Sequence, residues 1–329
     1  MPEFLYLHGD DLAGLATPAE YVDAVRKAYR QRGPAKPRTS LNTANPPGFL
    51  TSYVAILPET GAMGGYTYSA GFESRDAHFM LPLFDATSGE PLALIDGAYM
   101  NPFKTGATGA VAVDALARDD AKTVGIIGSG TQARGQLLAT ATVRDLSQVR
   151  VYSPTPENRE RFAAEMTDQL DVSVEAVETS ADAVAGADIL ITATNASEPV
   201  FDGDLLEPGT HVTAMGQYHP EKREIDAKTV ARSTYVPDLR DRLTQDAGAY
   251  IRALAAGAIE EGHVRAELGE IIAGTAPGRQ TSDEITLFDS GGTAIETVGA
   301  AMMLYERAKE QGLGQSLELS SASDAFIGR

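Results

Sequence analysis

The sequence predicts an α/β protein, built from a doubly wound parallel sheet and a second, strand-rich part. Three observations carry this. From Lys122 onward, short β-branched runs alternate with helical patterns, the rhythm of a parallel sheet with helices on both faces. The first of these runs, Val124-Gly125-Ile126-Ile127, leads directly into Gly128-Ser129-Gly130-Thr131-Gln132-Ala133, a G-x-G-x-x-A turn before a helix. Before about residue 118, strand patterns dominate after a single long helix. The G-x-G-x-x-A turn makes the parallel part Rossmann-type. Gly128 permits the tight turn, Gly130 lets a pyrophosphate approach the backbone, and Ala133 keeps the helix close to the strand. The helix N-terminus then offers unbonded N–H groups to the phosphates.

Thr17-Pro18-Ala19-Glu20 is a capping box with proline at the first helical position. Val22, Val25, Ala28 and Tyr29 mark an apolar helix face, and Gly33-Pro34 ends the helix. Pro37-Arg38-Thr39-Ser40 reads as a polar turn and 49–57 as a strand. The stretch 63–72 is rich in glycine and tyrosine. Two strands, 79–85 and 91–97, meet at Thr87-Ser88-Gly89-Glu90. An Ala/Val-rich helix is expected over about 108–117.

In the parallel part, strands are expected at 149–152, 172–177, 187–192, 211–216, 234–238 and 285–288. A helix starts at Pro156, and a long one spans 293–311 before Gly312. Serines 320, 321 and 323 belong to a tail expected to be mobile. The domains are read as 1–118 with 300–329, and 119–299.

Composition excludes several classes of function. The chain has 329 residues, with 46 acidic and 27 basic side chains and a net charge of −19. Such a surface repels nucleic acid and anionic membranes. Only seven of the basic residues are lysine, and tryptophan is absent; this pattern favours a halophile, whose salt screens the self-repulsion, the other reading being a merely acidic mesophilic protein. Without cysteine there is no disulfide, thiol nucleophile or thiolate metal site. His8, His78, His211, His219 and His263 show no metal-ligand spacing. No secretory signal or apolar run of membrane-spanning length is visible, so the expected location is cytoplasmic. No G-x-S-x-G turn or P-loop supports a hydrolase or phosphotransferase.

Four strings together resemble the ornithine cyclodeaminase/mu-crystallin family, which includes archaeal-type alanine dehydrogenases and ketimine or imino-acid reductases. They are Leu94-Ile95-Asp96-Gly97 leading to Lys104-Thr105-Gly106-Ala107; the Gly128–Ala133 turn with Arg134; Gly209-Thr210-His211-Val212 through Gly216; and Phe288-Asp289-Ser290-Gly291 with its helix. Their order and spacing match from about residue 15 to 314. The resemblance implies a central dinucleotide domain. It also implies an α+β substrate and dimerisation domain built from both chain ends, a homodimer, and a ligand held between the domains beside the nicotinamide.

By this resemblance Arg38 holds the substrate carboxylate, and Asp238 is the acid–base aspartate. Lys104 stands where the family usually has a second carboxylate-binding arginine, and Tyr66 where it normally has a lysine near the reacting centre. The first exchange keeps the charge but loses the bidentate fork. The second replaces an ammonium with a phenol, uncharged at neutral pH. Lys104 and Tyr66 therefore count as both substrate-binding and catalytic candidates; Glu73, Arg75 and Asp76 read as solvated charges in a turn, with Arg75 as a substitute for the missing lysine charge the other reading.

The cofactor candidates are Thr105, Gly128, Ser129, Gly130, Thr131, Gln132, Ala133, Ala193, Thr194, Asn195, Gly216, Ser290 and Gly291. Ser153, Thr155 and Arg159 join them after the second parallel strand, where no carboxylate stands to repel a 2′-phosphate. That absence favours NADP(H) over NAD(H); an exposed helix position is the other reading of Arg159. The implied activity is hydride transfer at the Cα–N bond of a small L-amino or imino acid, by a dehydrogenase or imine reductase. The alternatives are ornithine cyclodeamination to proline and ammonia, and a crystallin-like protein that binds NADP and a small ligand without turnover.

Overall fold

The computed structural model describes residues 3–73 and 76–320; Arg75 and the tail beyond Ser320 lie outside the described residues. The chain forms two compact units, one holding the described residues up to Lys104 and from Thr293 onward, the other Thr105–Gly292. These changeovers differ from 118/119 and 299/300. The helix expected over 108–117 already begins at Asn101, and Thr293 is the N-cap of the last helix, which belongs whole to the first unit.

The N-terminal part runs β1 (Glu3–Leu7), α1 (Gly9–Leu12), α2 (Pro18–Gln31), β2 (Thr39–Ala44), β3 (Pro47–Ser52), β4 (Ala55–Leu57), β5 (Ala62–Gly64), β6 (Thr67–Ala70), β7 (His78–Asp85), β8 (Pro91–Asp96) and α3 (Asn101–Leu116). The capping box of α2 is present, with Thr17 Oγ1 accepting from the Glu20 amide and Glu20 from the Thr17 amide. Arg32, not Gly33, takes the left-handed position that ends the helix, at φ 40°. The strand expected over 49–57 is two strands, and the polar turn at Arg38 is the entry to β2. Between β7 and β8 the Asp85 carboxylate accepts from the amides of Thr87 and Ser88, closing the expected turn.

The central part runs β9 (Thr123–Ile127), α4 (Thr131–Thr140), β10 (Gln148–Tyr152), α5 (Pro156–Leu170), β11 (Val174–Ala176), α6 (Ser180–Val184), β12 (Ile189–Thr192), β13 (His211–Ala214), α7 (Ala227–Arg232), β14 (Ser233–Pro237), α8 (Gly248–Ala255), α9 (Leu268–Ile272) and β15 (Ile285–Asp289). Its seven strands are all parallel, in the order β11-β10-β9-β12-β13-β15-β14. This is the doubly wound sheet that the strand–helix rhythm predicts. Alternate residues feed two cores: Val124, Ile126, Ile189 and Ile191 pack with Leu137 and Phe162, while Ile127, Leu190, Val212 and Leu287 pack with Val230 and Tyr250.

The chain then returns to the first unit through α10 (Ala294–Gln311) and β16 (Gln315–Glu318). The nine-stranded sheet of that unit has the main order β16-β1-β8-β7-β6-β3-β2. β16 lies antiparallel to β1, with Glu3 opposite Glu318. Short polar strands such as β2 and β16 lack an apolar alternation, which is why the sequence pattern misses them.

α10 packs on α2, and a Cβ placed on Gly299 would lie 2.6 Å from the Ala28 Cβ. An ion pair of 2.6 Å between Arg307 and Glu20 joins the same helices. Among the described residues no helix is long and apolar enough to cross a membrane. Gly299→Val should force α10 off α2 and lower unfolding free energy by about 1–3 kcal/mol, read from urea unfolding curves; an unchanged midpoint would show that the contact gives way freely.

Candidate functional site

The second unit presents the carboxyl ends of its parallel strands as one edge. Gly128 leaves β9 at φ 116°, and a Cβ there would lie 2.3 Å from the Ala193 carbonyl oxygen, so glycine is required twice over. Gly130 is the N-cap of α4 and supplies no side-chain cap. Nothing lies within 4 Å of the Cβ position on Gly130, which leaves the space above the first amides of α4 open. Gln132 carries a buried side-chain oxygen with no hydrogen-bond partner in the protein. Ala133 is fully buried against the sheet. Uncapped amides, open space and an unsatisfied acceptor fit the phosphates and hydroxyls of a dinucleotide.

The remaining cofactor candidates of this unit lie along the same edge. Ser129 Oγ donates to Ser153 Oγ at 2.9 Å, linking the turns after β9 and β10. Thr155 is the exposed N-cap of α5 and Thr131 begins α4, while the Thr105 carbonyl accepts from Gln136 at 2.8 Å. Ala193, Thr194 and Asn195 follow β12, and Gly216 follows β13. Arg159 is not an exposed helix residue: it is 6% exposed, with Nη1 on the Ser153 carbonyl at 3.1 Å and Nη2 on Glu178 at 3.1 Å. One face of α5 is buried, and Arg159 sits on it beside Phe162, Ala163 and Met166.

Asp238, one residue past β14, is buried and heavily hydrogen-bonded. Its Oδ2 accepts from Ser290 Oγ at 2.8 Å, the Gly291 amide at 3.1 Å and the Gly292 amide at 3.0 Å. Its Oδ1 accepts from the Leu239 amide at 2.9 Å and pairs with Arg242 Nη1 at 2.8 Å. Arg242, itself buried, also holds Asp246 at 2.6 Å. Asp289 completes the group, accepting from the Tyr235 hydroxyl at 2.5 Å. Burial pushes the Asp289 carboxyl up to about 6, against the pull of Arg242. The buried His211 is pushed down to about 3 by burial and lies between the hydroxyls of Thr286 and Thr213.

In the first unit, three of the four predicted substrate-side residues lie in one cluster. Arg38 lies over the Tyr53 ring at 5.4 Å, and Tyr53 meets Tyr66 edge-on at 5.9 Å. Lys104 Nζ lies 5.4 Å from the centre of the Tyr66 ring. The Tyr66 hydroxyl donates to the Gly97 carbonyl at 2.9 Å, and burial raises it well above the usual phenol range. Lys104 is buried and bonds Glu296 Oε1 at 2.7 Å, while the Tyr29 hydroxyl donates to Glu296 Oε2 at 3.0 Å. Burial works to lower the Lys104 ammonium, but Glu296 outweighs it and holds it above its ordinary value.

Sequence reasoning missed Glu296, Arg242 and Glu224. A lone acid among Ala294, Ile295, Val298, Ala300 and Ala301 was a usable signal for Glu296. Arg242 and Glu224 sit in charged stretches that read as solvated.

A family model described as the ornithine cyclodeaminase/mu-crystallin family matches residues 67–312. The chain belongs to this family. Its curated relatives include a Delta(1)-pyrroline-2-carboxylate reductase of Bacillus cereus, 35% identical over 266 residues, 80% of this chain and 79% of that protein. Among solved structures, the Thermococcus litoralis Delta(1)-pyrroline-2-carboxylate reductase in complex with NADH and L-proline is 36% identical with a TM-score of 0.91, covering 95% of this chain and 100% of that one. An archaeal alanine dehydrogenase dimer with bound NAD is 29% identical with a TM-score of 0.90, covering 97% and 100%. The family membership and the doubly wound fold read from the sequence therefore stand.

The raised Asp289 carboxyl makes a pH prediction. A group whose folded value exceeds its unfolded one near 3.8 contributes stability below that value and loses it as pH rises through about 6. Wild type should therefore lose about 2 kcal/mol relative to Asp289→Asn between roughly pH 4 and 7. Parallel pH–stability curves for the two proteins would refute this.

Proposed function

We propose that this family member is an NAD(P)-dependent oxidoreductase that reduces the C=N bond of a small imino acid, or in reverse oxidises the Cα–N bond of the corresponding L-amino acid. The observation that carries this is the open glycine turn with its uncapped helix N-terminus, in a chain 36% identical to a reductase solved with NADH and L-proline. Gly128 to Ala133 would hold the pyrophosphate, and the turns after β12, β13 and β15 the nicotinamide half. The bound cofactor supplies the hydride that adds to Cα while the C=N π pair moves onto nitrogen.

On the substrate side, Arg38 is assigned to the carboxylate, for which its planar fork is suited. Lys104, its charge balanced by Glu296, and the neutral Tyr66 form a compact wall beside it. This suits a small substrate without a charged side chain, of the Δ1-pyrroline-2-carboxylate kind. An imine that arrives protonated brings its own proton, so the hydride step needs none from the protein. Asp238, occupied by Arg242 and four other donors, is assigned to holding the Ser290–Gly292 turn rather than to shuttling a proton. Arg159 is committed to Ser153 and Glu178; we therefore favour NAD(H) over the NADP(H) that the sequence alone suggests.

Purified protein with NADH and Δ1-pyrroline-2-carboxylate should consume absorbance at 340 nm, faster than with NADPH. Proline and ammonia formed from ornithine without net cofactor change would instead make it a cyclodeaminase, and tight cofactor binding with no turnover a binding protein. Arg38→Ala should weaken substrate binding by roughly 2–4 kcal/mol, seen as a raised KM; an unchanged KM would remove Arg38 from the site.

We also propose a homodimer formed through the first unit. Leu41 and Leu50 are direct partners across β2 and β3, and Met80 on β7 shares their face. They are 72%, 49% and 56% exposed, whereas Thr51, Tyr68 and Leu81 on the opposite face are buried. The double variant Leu41→Asp, Leu50→Asp should elute as a monomer from size exclusion, where wild type elutes as a dimer; a variant that stays dimeric would place the interface elsewhere.

A further inference from the structure

Glu224 belongs to none of the motifs that mark the cofactor site, yet it joins two of that site's turns. It is 3% exposed, and its two oxygens collect three donors. Oε2 accepts from Thr192 Oγ1 at 3.0 Å and from the Gly216 amide at 2.6 Å, and Oε1 accepts from the Thr194 amide at 2.6 Å. Thr192 is the last residue of β12, Thr194 lies in the turn that leaves it, and Gly216 lies in the turn that leaves the neighbouring β13. A Cβ on Gly216 would sit 2.5 Å from the Glu224 carboxyl carbon, so only glycine admits this approach.

The charge of Glu224 is unusual in its setting. Asp238, also buried on this edge, has the Arg242 guanidinium at 2.8 Å and is neutralised by it. Every hydrogen-bond partner of Glu224 is instead an uncharged N–H or O–H, and among the described residues no Lys or Arg nitrogen lies within 4 Å of it. Burial raises its carboxyl above the ordinary range, and the hydrogen bonds it accepts oppose that rise. Each carboxyl oxygen faces a backbone N–H, which can only donate, and this favours the anion over a carboxyl whose proton would have to turn to the Thr192 hydroxyl. The two backbone N–H groups thus favour a negative charge where the strands β12 and β13 end, against the burial that opposes it.

We propose that Glu224 is a positioning and charge-complementing residue of the cofactor site, setting the turns after β12 and β13 and favouring the oxidised, cationic nicotinamide over the neutral reduced one. The inference rests on the cofactor site assigned above. When a hydride leaves with its two electrons, the ring it leaves becomes a cation. An anion fixed in a poorly screened interior lowers the energy of that charge without reorganising.

The test needs no turnover. Wild type, Glu224→Gln and Glu224→Asp are titrated with NADH by fluorescence, and NAD+ is titrated in competition. Glu224→Gln keeps the volume and an accepting oxygen but loses the charge. It should raise the ratio of the NAD+ to the NADH dissociation constant by about tenfold, equivalent to about 1.4 kcal/mol. Glu224→Asp keeps the charge, so the ratio should stay within about twofold even if both affinities fall. An unchanged ratio in folded Glu224→Gln, or a parallel loss of both nucleotides, would overturn the proposal. So would a wild-type protein that binds NADH more than about a hundredfold tighter than NAD+, a result that needs no variant to fold. Wild type binding neither nucleotide would bring down the cofactor assignment itself, and is distinguishable from a ratio that fails to move.

Discussion

The buried pairing of Lys104 with Glu296 is the constraint on which the first unit depends. The two residues are 192 positions apart in the chain, and their charged groups meet at 2.7 Å with almost no exposure. A charge stripped of water is tolerated only where its partner is in place, and removing one member strands the other at a cost of roughly 3–5 kcal/mol. The pair joins the start of α3 to the first turn of α10, and Tyr29 brings α2 to the same carboxylate. A strand-rich sheet made from both ends of the chain is thus pinned beside Arg38, Tyr53 and Tyr66. The same pairing leaves Lys104 a cation whose charge is largely balanced by Glu296.

The second unit uses carboxylates differently. Its strands are held by apolar alternation, and the polar work is concentrated where they end. Asp238 gathers the Ser290–Gly292 turn and balances its charge on Arg242, whereas Glu224 gathers Thr194 and Gly216 and has no cation against it. With 46 acidic residues the chain has many carboxylates, and Asp238 and Glu224 are among those shielded from water, where a charge acts far more strongly than on the surface.

Much of this was legible in the sequence, for identifiable reasons. The parallel sheet announces itself because each strand, buried on both faces, must be a short β-branched run, and because Gly128 and Gly130 answer steric demands that other residues fail. The Thr17–Glu20 capping box and the Gly312 stop are equally local. What escaped was non-local. β1 lies between β16 and the distant β8, and the short polar β16 is a strand through its pairing with β1 rather than by its own pattern. α3 starts two turns early despite Gly106 and Gly109, since Gly106 lies where a Cβ would strike the Gly135 carbonyl and Gly109 where it would strike Gln136. Glu224 and Arg242 sit among other charges and look solvated until the fold shows what covers them.

The discontinuous first unit has a consequence for how the protein comes into being. During synthesis the first eight strands emerge well before α10 and β16, so their apolar faces wait without the helix that covers them. The unit Thr105–Gly292, by contrast, is contiguous and can close as soon as its own last strand leaves the ribosome. The nascent chain therefore carries an unfinished sheet upstream of a completed one, and that sheet waits for α10 and β16.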